Sequence, residues 1–128
     1  MSPEKKTILV IDDAGLVRLF YRAALEKAGY HVEEALNGVE ALEKLLAKPA
    51  HLLLVDVNMP QMDGLTFLRT LRQKPLPLAG IPALVTSTEA QQQDFDAARS
   101  AGANYYLVKP IDEQTLVEFA AMLTGGAP

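Results

Sequence analysis

No cysteine occurs among the 128 residues. That removes disulfides, thiolate chemistry and cysteine-ligated metal. Basic excess is also missing. The formal net charge is −4, which argues against nucleic acid as a direct partner. Long apolar runs are absent too. The charged start Met1-Ser2-Pro3-Glu4-Lys5-Lys6 opens onto the short apolar run Thr7–Ile11. Such a run is too short for a signal-peptide core or a membrane span. A cytoplasmic location without membrane insertion is therefore expected. His31 and His51 are the only histidines, and neither has a partner at ligand spacing. Repeats, low-complexity tracts and internal linkers are missing as well. What is present suits one globular domain over 1–128, with 49 % hydrophobic and 22 % charged residues. Its core spans about 7–123, and 124–128 reads as a flexible tail or the start of a linker.

Apolar runs alternate with helical patterns along the chain. That alternation predicts an α/β fold, a parallel sheet doubly wound by helices on both faces. Strands are expected at about Thr7–Ile11, His31–Ala35, Leu52–Asp56, Pro82–Ser87 and Asn104–Val108. The second alternates in polarity, as an edge strand does. Helices are expected at about Gly15–Ala28, from after Asn37-Gly38 to Ala47, from after Asp63-Gly64 to Gln73, at Gln91–Ala101 and at Glu113–Leu123. Gly29 and Gly102 close two of them, and Asp112 caps the last. Asn37-Gly38 reads as a turn. Lys74–Gly80, with Pro75 and Pro77, reads as a non-helical loop.

In such sheets, ligands bind beyond the carboxyl ends of the strands. Strand one ends in Asp12-Asp13, strand three in Asp56 and strand five in Lys109-Pro110. An unpaired carboxylate is costly to bury, so these acids imply a cleft. Their mutual repulsion calls for a cation. A hard divalent ion with oxygen ligands fits, and magnesium is expected. Without histidine or cysteine in these segments, zinc is disfavoured. Asp56 is the candidate nucleophile, since a carboxylate attacks phosphorus to form an acyl phosphate. Lys109 would neutralise charge on the transferring group, and its bond to Pro110 is a candidate for cis. The plainer alternative, that Asp12 or Asp13 only caps helix one, does not explain the matching ends at Asp56 and Lys109. Thr86-Ser87-Thr88 at the end of strand four is by itself ordinary turn chemistry. Met59 and Met62 read as packing beside the site, and Gln91-Gln92-Gln93 as a solvated helix start.

In combination these motifs resemble the receiver domain of two-component response regulators, close to the stand-alone chemotaxis type. The resemblance runs from Thr7 to Leu123. It rests on Ile11-Asp12-Asp13, on Asp56 with Asn58-Met59-Pro60-Gln61-Met62-Asp63-Gly64, on the strand-four hydroxyl and on Lys109-Pro110. It implies a flavodoxin-like sheet of order 2-1-3-4-5 with five helices. It implies Asp56 as phosphoacceptor, and Asp12, Asp13, Asp56 and the backbone carbonyl of Asn58 as magnesium ligands. Lys109 would contact the phosphoryl group. Counting five on from Pro82, or 22 back from Lys109, makes Ser87 the switch hydroxyl. Counting from Asp56 favours Thr86, the runner-up. Tyr106 matches the family's aromatic switch. Thr88 stands where alanine or glycine is common, and its bulk bears on access.

The resemblance therefore implies a phosphorylation switch rather than an enzyme acting on a separate substrate. The chain would catalyse only its own phosphoryl transfer and autodephosphorylation. A histidine kinase or histidine phosphotransfer protein would be the donor, and a downstream protein the target. The face of helix four, strand five and helix five would change partner preference. The chain would be a monomer or a phosphorylation-dependent dimer. Three rivals stand beside this. A phosphohydrolase of the haloacid dehalogenase kind wants a second acid two residues after its nucleophile, where this chain has Asn58 after Asp56 and Ala14 after Asp12. A flavodoxin-like cofactor binder wants a phosphate cradle after strand one, where Asp12-Asp13-Ala14-Gly15 would repel phosphate. A phosphate-independent receiver-like module would not need the complete site.

Overall fold

Strands β1 (Thr7–Ile11), β2 (His31–Ala35), β3 (Leu52–Asp56), β4 (Ala83–Ser87) and β5 (Tyr105–Val108) alternate with five helices. The helices are α1 (Gly15–Lys27), α2 (Gly38–Ala47), α3 (Gly64–Arg72), α4 (Gln92–Ala101) and α5 (Glu113–Thr124). The computed structural model describes residues 4–126. All strand pairs are parallel, in the order β2-β1-β3-β4-β5. This is the expected flavodoxin-like arrangement.

Side-chain alternation divides the core in two. Leu9, Ile11, Leu53, Val55, Ala83 and Val85 pack under α2, α3 and α4 through residues such as Leu45, Phe67 and Ala98. Ile8, Val10, Leu52, Leu54 and Leu84 pack under α1 and α5 through Tyr21, Leu25, Leu116 and Ala120. Every residue of β1, β3 and β4 is buried, which explains their continuous apolar runs. Burying each such Leu or Ile contributes about 1.5–3 kcal/mol. β2 lies at a sheet edge and exposes alternate residues. Because the strands are parallel, their carboxyl ends share one rim.

Several boundaries differ from expectation, each for a local reason. Asn37-Gly38 is not a free turn. The Asn37 Oδ1 accepts from the Glu40 N–H at 2.9 Å, so Asn37 caps α2 and Gly38 is its first residue. At the start of α4 the Asp94 carboxylate accepts from the Gln91 N–H at 3.0 Å, the acid's half of a capping box. The proline-containing loop holds a 3₁₀ turn at Leu78–Gly80. Both Leu76-Pro77 and Lys109-Pro110 are cis. β5 starts at Tyr105, and Asn104 before it holds Ala83 twice, its side chain accepting from the Ala83 N–H at 2.8 Å and its own N–H donating to the Ala83 carbonyl at 2.9 Å. Thr124 belongs to α5, which Gly125 ends at φ 81°. Of the expected tail, Ala127 and Pro128 lie outside the described residues. Asp112 caps α5 as expected, accepting from the Thr115 N–H at 2.7 Å.

Candidate functional site

β1 and β3 are neighbours, so the residues just past their ends meet. Asp12 is 1 % exposed and Asp56 6 % exposed, while Asp13 is exposed. Oxygens of all three carboxylates lie within 4.8 Å of one another. Lys109, just beyond β5, reaches across the sheet rim. Its Nζ donates to Asp12 Oδ2 at 2.9 Å and to Asp56 Oδ1 at 3.2 Å. Sequence reasoning named these four residues at three separate strand ends, and the fold brings them together.

The loop after β3 is fixed at both ends. The Val57 N–H donates to the Thr86 carbonyl at 3.1 Å, and the Gly64 N–H to the Val57 carbonyl at 2.9 Å. Gln61 takes φ 66°, the left-handed region. Asp63 caps α3, accepting from the Thr66 N–H at 2.8 Å. Asn58 is exposed within this loop, and Met59 is buried against the core. The Gly38 N–H donates to the Met62 carbonyl at 3.3 Å, which ties the loop to the start of α2.

The two hydroxyl candidates separate. Thr86 pairs with Asp56 in register. Its Oγ1 lies 3.5 Å from the Val55 carbonyl, and the residue is 1 % exposed. It is therefore an interior group. The Ser87 Oγ accepts from the Glu89 N–H at 3.1 Å, in the β4–α4 loop. The Tyr106 hydroxyl donates to the Glu89 carbonyl at 2.8 Å, and its ring stands edge-on to Phe95 at 4.8 Å. Ser87 and Tyr106 thus converge on one loop residue. An open cleft of about 540 Å³ leads to the site, lined by Leu16, Phe20, Tyr21, Thr88, Lys109 and Ile111. Sequence reasoning missed Arg18, whose guanidinium reaches the Asp12 carbonyl at 2.7 Å.

Electrostatics follow from burial. Asp56 is pushed up to about 6, first by burial and then by the Asp12 charge, with Lys109 opposing. Burial also works against the Lys109 charge. Its bond to Asp12, together with the Asp56 and Asp12 charges, outweighs this and holds Lys109 above its ordinary range. One ammonium therefore faces three carboxylates. Such an oxygen-only, charge-deficient cluster suits a small hard cation. Asp12, Asp13 and Asp56 are the residues that would hold it.

A pH dependence follows. Asp56 has a folded value raised above the usual 3.8. Its contribution to stability is complete below pH 3.8 and is lost as pH rises through about 6. A divalent cation held by the cluster would offset that loss. Added Mg²⁺ is therefore expected to raise the urea midpoint clearly above pH 6 and hardly at all near pH 4. An equal increment at both pH values would show that Asp56 is not the titrating ligand.

Similar proteins are consistent with this geometry. The sequence model of the response regulator receiver domain matches residues 8–121. The chain is 40 % identical over 111 residues to the sensor protein EvgS of Escherichia coli K12. That match covers 85 % of the chain but only 9 % of EvgS, so the chain spans under a tenth of that relative's length. The chemotaxis protein CheY4 of Vibrio cholerae superposes with a TM-score of 0.89 at 31 % identity, over 94 % of this chain and 99 % of CheY4. The signal receiver domain of a histidine kinase from Syntrophus aciditrophicus gives a TM-score of 0.87 at 28 % identity, over 94 % of this chain and 90 % of that one.

Proposed function

The chain belongs to the response regulator receiver domain family of two-component systems, and on that premise we propose that it is a switch driven by magnesium-dependent phosphorylation of Asp56. One observation carries the reading: a buried carboxylate at the centre of the sheet rim, 3.2 Å from the Lys109 ammonium and clustered with Asp12 and Asp13. An Asp56 Oδ attacks the phosphorus of a phosphohistidine. The phosphorus–nitrogen bond breaks, its electron pair returns to the imidazole, and an acyl phosphate forms. Asp12, Asp13, Asp56 and the Asn58 carbonyl hold Mg²⁺. When bound, the ion offsets negative charge on the transferring group. Lys109 shifts from bridging two carboxylates to contacting a phosphoryl oxygen. Autodephosphorylation reverses the modification, so the chain acts on no separate substrate.

The donor, a histidine kinase or histidine phosphotransfer protein, approaches through the cleft beside Lys109. Leu16 is 83 % exposed there and gives the cleft an apolar lip. Thr88 stands on the same approach. Phosphorylation adds charge and acceptor oxygens, which draw the Ser87 hydroxyl away from the Glu89 N–H. Tyr106 holds the other side of Glu89, so the change passes to α4 and β5. Exposed Tyr105, Val108 and Met122 lie on or beside the α4–β5–α5 face, where a downstream protein docks or a second copy pairs. Among the described residues no helix is long and apolar enough to cross a membrane. We place the receiver unit, core about 7–123, in the cytoplasm, where phosphohistidine donors act.

The test is intact mass after incubation with acetyl phosphate. One phosphoryl group per chain is expected with Mg²⁺, lost on hydroxylamine treatment and absent when metal is chelated. Equal uptake with and without metal would sink the proposal, and so would a hydroxylamine-stable adduct.

A further inference from the structure

Asp12 is held at each of its polar groups. Its N–H donates to the Ala35 carbonyl at 3.1 Å, and its Oδ1 accepts from the Ala14 N–H at 2.9 Å. Its Oδ2 accepts from Lys109 at 2.9 Å. The remaining group, its carbonyl, accepts from Arg18 Nη1 at 2.7 Å. That carbonyl belongs to the peptide joining Asp12 to Asp13. Fixing its plane fixes the direction in which the Asp13 side chain leaves the backbone. The one other local tie is the Ala14 N–H on Asp12 Oδ1, which spans Asp13 from the far side. Asp13 is exposed, and Ala14 at the N-cap of α1 offers no side-chain cap.

Arg18 is itself anchored. Its Nε donates to Glu34 Oε1 of β2 at 2.8 Å, and the side chain is only 15 % exposed. Arg22 bonds the other Glu34 oxygen. Burial works against the Glu34 charge, but the hydrogen bonds from Arg22 and Arg18 overcome it and hold the carboxyl below its usual range. Arg22 also meets Glu26, at 3.5 Å, so two carboxylates balance the two guanidiniums and the one beside the acidic cluster is both oriented and largely neutralised. A bare cation at that place would repel Mg²⁺. A neutralised one orients the loop with little electrostatic penalty.

Resting on the receiver reading of the site, we infer that Arg18, held by Glu34, is a positioning residue that sets the Asp12–Asp13 peptide for divalent-cation binding. It touches neither the ion nor the phosphoryl group. Groups of this kind typically change metal affinity about 10–100-fold when removed.

Sign makes the inference testable. Removing a nearby positive charge should tighten Mg²⁺ binding if charge alone matters, whereas losing a positioning bond should weaken it. Mg²⁺ would be titrated calorimetrically into the metal-free full chain above pH 6. Arg18→Ala is expected to bind about tenfold more weakly. Arg18→Lys keeps the charge but cannot make both bonds, and is expected to be weakened several-fold. Arg22→Ala removes a similar charge without touching the loop, and is expected to stay within about twofold of the parent. Circular dichroism without metal checks that each variant folds. If Arg18→Ala does not fold, Arg18→Lys decides alone. Unchanged or tighter binding by the folded Arg18 variants overturns the inference while leaving the receiver reading intact. An equal loss in Arg22→Ala also overturns it. If the parent chain binds no Mg²⁺, the receiver reading falls and takes the inference with it.

Discussion

Asp56→Asn takes up no phosphoryl group from acetyl phosphate and, without metal, is more stable to urea at neutral pH than the parent chain. The two effects have one cause. The carboxylate that would attack phosphorus is the group whose charge the fold tolerates least, since burial and the neighbouring Asp12 push it up to about 6. A shift from 3.8 to about 6 corresponds to about 3 kcal/mol at most. Solvent at the cleft mouth screens part of this, leaving about 1–2 kcal/mol. Asparagine keeps the shape and removes the charge, and Lys109 keeps its 2.9 Å bond to Asp12. The gain should vanish below pH 3.8, where Asp56 is protonated in both folded and unfolded chains. Urea denaturation at the two pH values measures it. A variant less stable than the parent at neutral pH would show that the Lys109 contact outweighs burial.

Gly64→Ala is expected to destabilise the chain by about 3 kcal/mol or more and to abolish Mg²⁺ binding. A Cβ at residue 64 would stand 2.2 Å from the Asp56 carbonyl oxygen and 2.9 Å from Val55 Cγ1. Neither neighbour can yield cheaply. Both belong to β3, which is paired on one side with β1 and on the other with β4. Relief would displace Asp56 itself. At Gly15 the nearest atom to a new Cβ is Arg18 Nη2 at 3.6 Å, so Gly15→Ala should change stability by less than about 1 kcal/mol. Urea denaturation of the two variants separates a glycine required by close approach from one that is not. Comparable costs at both positions would contradict the packing argument.

The residues that meet at the site were legible because each ends a strand. Parallel topology sends all carboxyl ends to one rim, so Asp12, Asp56 and Lys109 could be brought together without knowing strand order. Arg18 was not legible. Nothing in the spacing of a helix arginine says that it folds back onto the carbonyl of Asp12, or that Glu34 on an edge strand meets it. Asn37 was misread for a related reason: the same Asn-Gly pair serves a turn or a helix cap, and only the next element decides. The two counts for the switch hydroxyl disagreed because the loop between β3 and β4 can absorb a residue. The register sets Thr86 beside Asp56 but leaves its hydroxyl in the interior, and Ser87 is the one that meets Glu89.

Borohydride trapping addresses the central claim most directly. Protein phosphorylated with acetyl phosphate and Mg²⁺ would be reduced, digested and mapped by mass spectrometry. Reduction converts an aspartyl phosphate to homoserine. The account predicts homoserine at position 56 and at no other aspartate. Homoserine at position 12 or 13 would contradict it, as would phosphorylated protein yielding none at position 56.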